Sequence, residues 1–224
     1  MSVRFHSQGI LFGCFGLLLL LTASCQRPQP AHETEQSLSN PSPVTEALPS
    51  SAPPQVKQLI DGAIEQVGVT TGYDPAYVSI DYPRGDVAIE TGVCSDVLVR
   101  AFRNVGVDLQ KDVHEDMVRA WPAYPKMWGA TRPDTNIDHR RVLNLTTYFE
   151  RQGKSVGISS RQGDYLAGDI VSWNLGNGVP HIGIVSNRLS AQGRRLIVHN
   201  IGAGTRIEDV MFNWQITGHY RYFE

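Results

Sequence analysis

The feature that most constrains this fold is a change of hydrophobic period in the last third of the chain. Before it, apolar residues recur at helical spacing; after it, short β-branched or aromatic runs alternate with turn residues. The helical segments are 56–67, 97–105, 107–119 and 142–149, and the strand-like runs are 169–173, 181–186, 196–200 and 217–223. Helices followed by a meander of strands predict an α+β domain, with the helices packed on one side of an antiparallel sheet.

Composition limits both the number of domains and the class of partner. The chain has 224 residues, is 41% hydrophobic and carries a formal net charge of -2. This is enough chain for one well-buried domain, with little room for a second. Because no dense basic stripe is available to neutralise phosphates, we expect no nucleic-acid partner.

The first 25 residues are predicted to be an export signal rather than part of the fold. Arg4 gives a short basic start, residues 9–21 form an apolar run too short to span a bilayer comfortably, and small residues 22–24 precede Cys25. The pattern resembles a bacterial lipoprotein signal, in which Cys25 is lipidated; an ordinary secretory signal cut nearby is the alternative. Both export the protein. The resemblance, with Gln26 after the cysteine, implies a periplasmic protein of the cell envelope, lipid-anchored to the outer membrane.

The next segment, 26–55, is predicted to be a disordered tether. It is rich in Pro, Ser, Gln, Glu and Ala and has no aromatic residue, so it cannot bury enough surface to offset the entropy of ordering. The folded domain is therefore expected to span residues 56–224.

The cysteines single out one candidate nucleophile. Of the three in the chain, Cys14 leaves with the signal and Cys25 would be acylated, so Cys94 is the one free thiol expected in the mature protein. Cys94 falls in the first turn of the helix predicted around 97–105. Free backbone amides and the helix dipole at that position favour a thiolate. The alternative is that Cys94 is one more small buried hydrophobic residue.

Two histidines are predicted to accompany this thiol. His181 opens one strand-like run and His199 lies in the next. If the two strands pair through a turn around Gly193, both side chains can lie on one face, where the second histidine orients the first. Asn200 is the alternative orienting residue. A thiol, an imidazole and an orienting polar group in contact would form a nucleophile, its base and the holder of that base.

At these residues the chain resembles the NlpC-type branch of the papain-like cysteine peptidases. The matching motifs are Cys94-Ser95, Gly168-Asp169-Ile170-Val171, His181-Ile182-Gly183-Ile184-Val185 and His199. It resembles more closely a bacterial family known as domain of unknown function 1287. That resemblance is carried by Val93-Cys94-Ser95-Asp96, Val113-His114-Glu115-Asp116-Met117, Asn136-Ile137-Asp138-His139-Arg140 and Val198-His199-Asn200-Ile201-Gly202.

The resemblance implies a papain-like (NlpC-type) domain with N-terminal helices packed on an antiparallel sheet or small open barrel. It also implies a cysteine amidase or endopeptidase acting on peptidoglycan stem peptides, with Cys94, His181 and His199 as catalytic residues. We further predict a set of substrate-binding residues: Tyr73, Trp128, Arg140, Trp173 and Asn200. Tyrosine and tryptophan side chains in such loops are as often packing elements, and exposed arginines are usually solvated surface.

Two other functions stay open at this point. The same thiol chemistry supports acyl transfer to an amine or alcohol, and a binding module could keep the fold without turnover. A metal site is not predicted, because His114-Glu115 lacks the second histidine that a zinc-protease helix requires. We expect a monomer without a cofactor, whose partners are a peptidoglycan peptide and, through Cys25, a membrane.

Overall fold

The computed structural model describes residues 43–224. The predicted signal peptide, the lipidation of Cys25 and the tether up to residue 42 lie outside these residues. Within the described range, no helix is long and apolar enough to cross a membrane.

Four α-helices occupy the first part of the described chain, as the apolar period predicts. They are α1 (Pro54–Ile64), α2 (Cys94–Asn104), α3 (Leu109–Ala120) and α4 (Val142–Arg151), with 3-10 turns at Trp121–Ala123, Asp138–Arg140 and Gln162–Asp164. The α2 helix buries an apolar stripe that includes Leu98 and Phe102. It ends at Asn104, and two residues later the φ of 81° at Gly106 lets the Val107 amide return to the Phe102 carbonyl at 3.0 Å, as in a glycine-terminated helix end.

Six strands form one sheet in which every pairing is antiparallel. They are β1 (Val44–Thr45), β2 (Ile170–Asn174), β3 (Pro180–Leu189), β4 (Arg195–Asn200), β5 (Thr205–Glu208) and β6 (Gln215–Tyr220). The order is β5-β4-β3-β2-β6, and β1 pairs with the far end of β3. The predicted α+β class with an antiparallel sheet is confirmed; β1 and β5 were not predicted.

Alternation along the strands separates two cores. Ile182 and Ile184 of β3 face the helices and pack in one cluster with Leu98 and Phe102. Val185 belongs to a second cluster on the other face of the sheet, with side chains from β2, β4 and the segment before β6. Since successive strand residues point to opposite faces, the residue before Ile182 also faces this second side.

The boundary predicted between tether and domain at residue 55 is wrong. Val44 pairs with Leu189, and the backbone amide of Glu46 donates to the Asn187 carbonyl at 2.7 Å. The Glu46 carboxylate also pairs with Arg195 at 2.5 Å. The domain therefore begins before residue 56, because backbone and side-chain pairing with the sheet orders a segment whose composition alone predicts disorder.

Candidate active site

Cys94 is the first residue of α2, in agreement with the predicted helix start. The Asp96 carboxylate accepts a hydrogen bond from the Val93 amide at 2.7 Å, so this helix start is capped from inside the first turn. The Cys94 side chain is buried, with only 3% of the residue exposed.

The predicted thiolate is not the resting state of Cys94. Burial raises the pKa of the thiol to about 12, against smaller opposing effects of hydrogen bonds from the backbone of Ile182, Ser95 and Cys94 itself. The negative charge of Asp96 raises this pKa further. Desolvation therefore outweighs the helix start, and the thiol is protonated at neutral pH.

His181 and His199 meet on one face of the sheet, which confirms the predicted adjacency. His181 Nε2 lies 2.8 Å from His199 Nδ1, and both residues are buried. Gly183 allows this close approach of β4 to β3. A Cβ at this position would lie 2.7 Å from the Ile197 Cγ2 atom and 3.2 Å from the His199 Cβ atom, so a larger residue would push the strands apart.

Glu208, on β5, extends the pair of histidines into a chain of three groups. Its Oε2 atom lies 3.0 Å from His199 Nε2. An ionised carboxylate only accepts hydrogen bonds, so His199 carries its proton on Nε2 and presents Nδ1 as an acceptor. His181 Nε2 must then be the donor in the 2.8 Å contact, which leaves His181 Nδ1 unprotonated and able to act as a base.

Both histidines are held neutral in the resting protein. Burial, and then the neighbouring His199, lowers the pKa of His181 to about 3. Burial also lowers the pKa of His199, although Glu208 opposes this shift. Within the described chain no hydrogen bond joins the thiol to His181. Catalytic hydrogen bonds often tighten only when substrate binds.

Cys94 opens into a groove of about 440 Å³, a volume typical of small-ligand sites. One wall contains Tyr73 and Trp128, and another contains Pro180, the residue before His181. Burial is the main reason why the pKa of Tyr73 rises to about 12, with a further contribution from Cys94. Trp128 is 55% exposed and has a left-handed φ of 56°, so its ring lies at the open edge.

The structure divides the predicted substrate-binding residues into two groups. Tyr73, Trp128 and Arg140 line the groove. Trp173 and Asn200 lie elsewhere: the Trp173 indole is 1% exposed and donates to the Met211 carbonyl at 2.9 Å.

Asn200 and Arg140 are engaged with the protein itself. Asn200 Nδ2 donates to the carbonyls of Gly72 and Gly92, each at 3.0 Å, so Asn200 braces the loop before α2 and does not orient His181. Arg140 Nε donates to Asp96 at 3.0 Å, and Nη1 donates to the Ala76 carbonyl at 2.9 Å. Arg140 thereby fixes one wall of the groove to the start of α2.

Glu208 is the residue of this site that the sequence prediction missed. The signal was short: Gly202 and Gly204 mark a turn, and only four residues, Thr205 to Glu208, follow as a strand. In a hairpin with β4 that begins at this turn, a carboxylate two positions beyond the residue opposite His199 lies on the same face as the imidazole.

In residues 43–224, no group of three or more His, Cys, Asp or Glu side chains is arranged to hold a metal ion. His114 Nδ1 lies 3.7 Å from the Asp138 carboxylate, and its ring packs edge-on against Tyr82, which is a packing contact.

Comparison with known proteins identifies the family. The model of the family described as domain of unknown function DUF1287 matches residues 60–222. The uncharacterized protein YijF of Escherichia coli strain K12 is 50% identical over 215 residues, which cover 92% of this chain and 96% of that protein.

Two solved structures are similar at low sequence identity. NlpC1 from Trichomonas vaginalis is 11% identical with a TM-score of 0.42, covering 80% of this chain and 47% of that one. An N-acetylmuramoyl-L-alanine amidase from Bacteroides uniformis is 13% identical with a TM-score of 0.44, covering 74% of this chain and 97% of that one. From the family match and the close relative in Escherichia coli, this chain belongs to the DUF1287 family.

Proposed function

We propose that this protein is a cysteine amidase or endopeptidase that hydrolyses an amide bond in peptidoglycan stem peptides. The observation that carries the proposal is the hydrogen-bonded chain from His181 through His199 to Glu208, with contacts of 2.8 Å and 3.0 Å. These hydrogen bonds leave His181 Nδ1 as a basic ring nitrogen. Pro180, the residue before His181, lines the groove beside Cys94. Such an arrangement supplies a nucleophile, a base and its holder.

In the first step, Cys94 Sγ attacks the carbonyl carbon of the scissile amide. His181 Nδ1 takes the thiol proton as the carbon–sulfur bond forms, because both groups are neutral at rest. The backbone amides of Cys94 and Ser95 lie at the helix start, where they have no intrahelical acceptor. These amides can stabilise the developing oxyanion.

In the second step, His181 returns the proton to the nitrogen of the leaving amine, and the carbon–nitrogen bond breaks. A water molecule then attacks the thioester while His181 accepts one of its protons. The carbon–sulfur bond breaks, releasing a carboxylic acid, and the thiol recovers its proton. His199 and Glu208 hold the base in one tautomer throughout the cycle.

The substrate class and the location are supported from the sequence. The motifs around Cys94, His181 and His199 resemble those of NlpC-type peptidases. The lipoprotein-like segment before Cys25 would export the chain and hold it at the outer membrane, next to peptidoglycan. The proposal therefore includes a periplasmic, lipid-anchored enzyme that acts on the peptide part of the cell wall.

Mass spectrometry of digested cell-wall fragments tests the function. Purified peptidoglycan, cut to soluble fragments by a muramidase, would be incubated with the protein and with its Cys94→Ala variant. We expect new fragments with a free amine and a free carboxylate from the wild type alone. A product in which the acyl group has moved to a second amine or alcohol would instead identify an acyltransferase. Equal product from both proteins would refute the mechanism.

A further inference from the structure

The groove beside Cys94 is positively charged. Of the described residues that line it, none is acidic, and the charged ones are Arg140 and Arg141. Its other walls are apolar or aromatic, including Tyr73, Tyr77 and Trp128. A concave site of this composition favours a ligand that carries negative charge.

The two arginines differ in how much of their charge is already neutralised. Arg140 is buried and forms an ion pair with Asp96 at 3.0 Å, in which both side chains are almost fully excluded from solvent. Two further N–H groups of its guanidinium bind the carbonyls of Ala76 and Asp74, and a fourth binds Asp96 again. Four of its five donors are therefore used within the protein, and its charge is paired with Asp96.

Among residues 43–224, no acceptor is hydrogen-bonded to the Arg141 guanidinium. Its guanidinium lies over the Trp128 ring, 5.1 Å from the ring centroid. Its nearest carboxylate among the described residues is Asp138, whose Oδ1 atom is 4.0 Å away, too far for a hydrogen bond. The other oxygen of Asp138 already accepts the Asp134 amide at 2.5 Å. Arg141 is thus a partly buried cation in the groove that is positioned by an aromatic ring and only weakly paired with Asp138.

We propose that this groove selects substrates that carry a carboxylate close to the scissile amide, and that Arg141 binds this carboxylate. The inference rests on the proposed amidase function, and it adds the substrate class and the residue that recognises it. A planar guanidinium can bind a carboxylate through two parallel hydrogen bonds. Stacking on Trp128 restricts the side chain and so reduces the entropy lost on binding.

A matched pair of substrate pools tests this site. One pool is the sugar-linked stem peptides (muropeptides) released from purified peptidoglycan by a muramidase; the other is the same pool with its carboxylates converted to carboxamides. We expect the wild-type protein to release new amines from the first pool about 10- to 100-fold faster, the size of an effect from a charge-assisted hydrogen bond. The Arg141→Met variant should lose this ratio, and Arg141→Lys should retain part of it.

Arg161→Met is the matched control, because Arg161 is exposed and pairs with Asp164 at 3.0 Å; it should keep the wild-type ratio. Thermal unfolding would establish that each variant is folded. A wild-type ratio near one, or an unchanged ratio in Arg141→Met, would overturn the proposal.

The inference can be separated from the function. If neither pool is cleaved, the proposed function fails, and calorimetric titration of the Cys94→Ala protein with the two pools then tests the site alone. Tighter binding of the carboxylate pool that is lost with Arg141→Met would support the site. Equal binding of both pools, or binding of neither, would refute it.

Discussion

The protein contains two buried histidine–carboxylate centres on the same sheet, and they differ in one respect. At the first, His181 bonds through Nε2 to His199, which bonds to Glu208. At the second, His219 Nε2 lies 2.7 Å from the Asp169 carboxylate, and its Nδ1 lies 3.2 Å from the Gly157 carbonyl.

The difference is whether a ring nitrogen is left over. Both nitrogens of His219 are hydrogen-bonded, and Asp169 is also bound by Arg221 at 2.8 Å. In the part of the chain that the structure describes, Nδ1 of His181 has no such bond, because the ring is held through Nε2 alone. A buried histidine beside a carboxylate therefore does not identify a catalytic site by itself. An unused nitrogen beside a nucleophile is the more specific signal.

The largest expected effect separates the two centres directly. The His181→Gln variant should lose about 10²- to 10⁴-fold in kcat, the usual contribution of a general base, with a small change in the free energy of unfolding. The matched His219→Gln variant should lose stability and keep the kcat of the folded fraction. Peptide hydrolysis and urea unfolding of both proteins measure this, and the opposite assignment of effects would contradict the comparison.

Removing the charge of Asp169 should cost stability. Burial alone would raise the pKa of Asp169, but the hydrogen bonds from His219 and Arg221 outweigh it and the net shift is downward. Asp169→Asn should lower the free energy of unfolding at pH 7 by about 3–5 kcal/mol, as for a broken buried ion pair.

The pH dependence of this loss follows from the sign of the shift. A lowered pKa stabilises the fold above the unfolded value of about 3.9, and this contribution disappears as pH falls through the folded value. The loss in Asp169→Asn should therefore shrink in urea titrations as pH falls below about 3.9, whereas the half-exposed Asp61→Asn control should change little at any pH. A loss independent of pH would argue against an ionic role for Asp169.

Glu208→Gln tests how the first centre holds its base. A glutamine amide can donate to His199 Nε2 and so stabilise the other tautomer, in which His181 Nδ1 carries the proton. We expect kcat to fall about 10- to 100-fold, as for other residues that orient a functional group without touching the substrate. The Glu208→Asp variant should recover part of this loss. Steady-state kinetics would measure this, with Glu65→Gln as an exposed control; a kcat within about twofold of wild type would remove Glu208 from the mechanism.

Gly183→Ala should loosen the contact between the two histidines. The added methyl group would meet Ile197 at 2.7 Å, and overpacking of this kind costs about 1–3 kcal/mol. Thermal unfolding and hydrolysis rates should both decline. Gly163→Ala, where a Cβ meets nothing within 4 Å, should change neither; equal behaviour of the two variants would show that the strand spacing is not limiting.

The smallest expected effect concerns the pH profile of the enzyme. The base must be unprotonated, and burial with the neighbouring His199 lowers the pKa of His181 to about 3. We therefore expect kcat/KM to stay level from about pH 8 down to about pH 5, below the ordinary histidine value of about 6.5. A decline with a midpoint near 6.5 would indicate a more solvated imidazole.

The fold was largely predictable because its helices and longer strands have strong periods. The α2 helix, its start at Cys94 and the pairing of β3 with β4 all follow from local pattern and turn residues. The four-residue β5 strand gave too short a pattern, and Glu208 was missed with it. The segment containing Val44 was assigned to the tether because pairing with Leu189 depends on a partner distant in the sequence.

The identity of the site residues was more predictable from the sequence than their pKa values and charge pairing. The sequence indicates that Cys94 lies at a helix start, but not that burial raises its pKa to about 12. Local sequence likewise gives Arg140 and Arg141 the same charge. Only the fold shows that Asp96 neutralises Arg140, while Arg141 lies over Trp128 with its nearest described carboxylate 4.0 Å away.

The most direct test of the account is capture of the covalent intermediate. The protein would be mixed with muropeptides released by a muramidase, quenched in acid within the first turnover and analysed by peptide mass spectrometry. The account predicts an acyl adduct on the peptide that contains Cys94. The amount of this adduct should rise before the carboxylic acid product appears and fall as hydrolysis releases that product. Continued product formation with no adduct on Cys94, or an adduct on another residue, would contradict it.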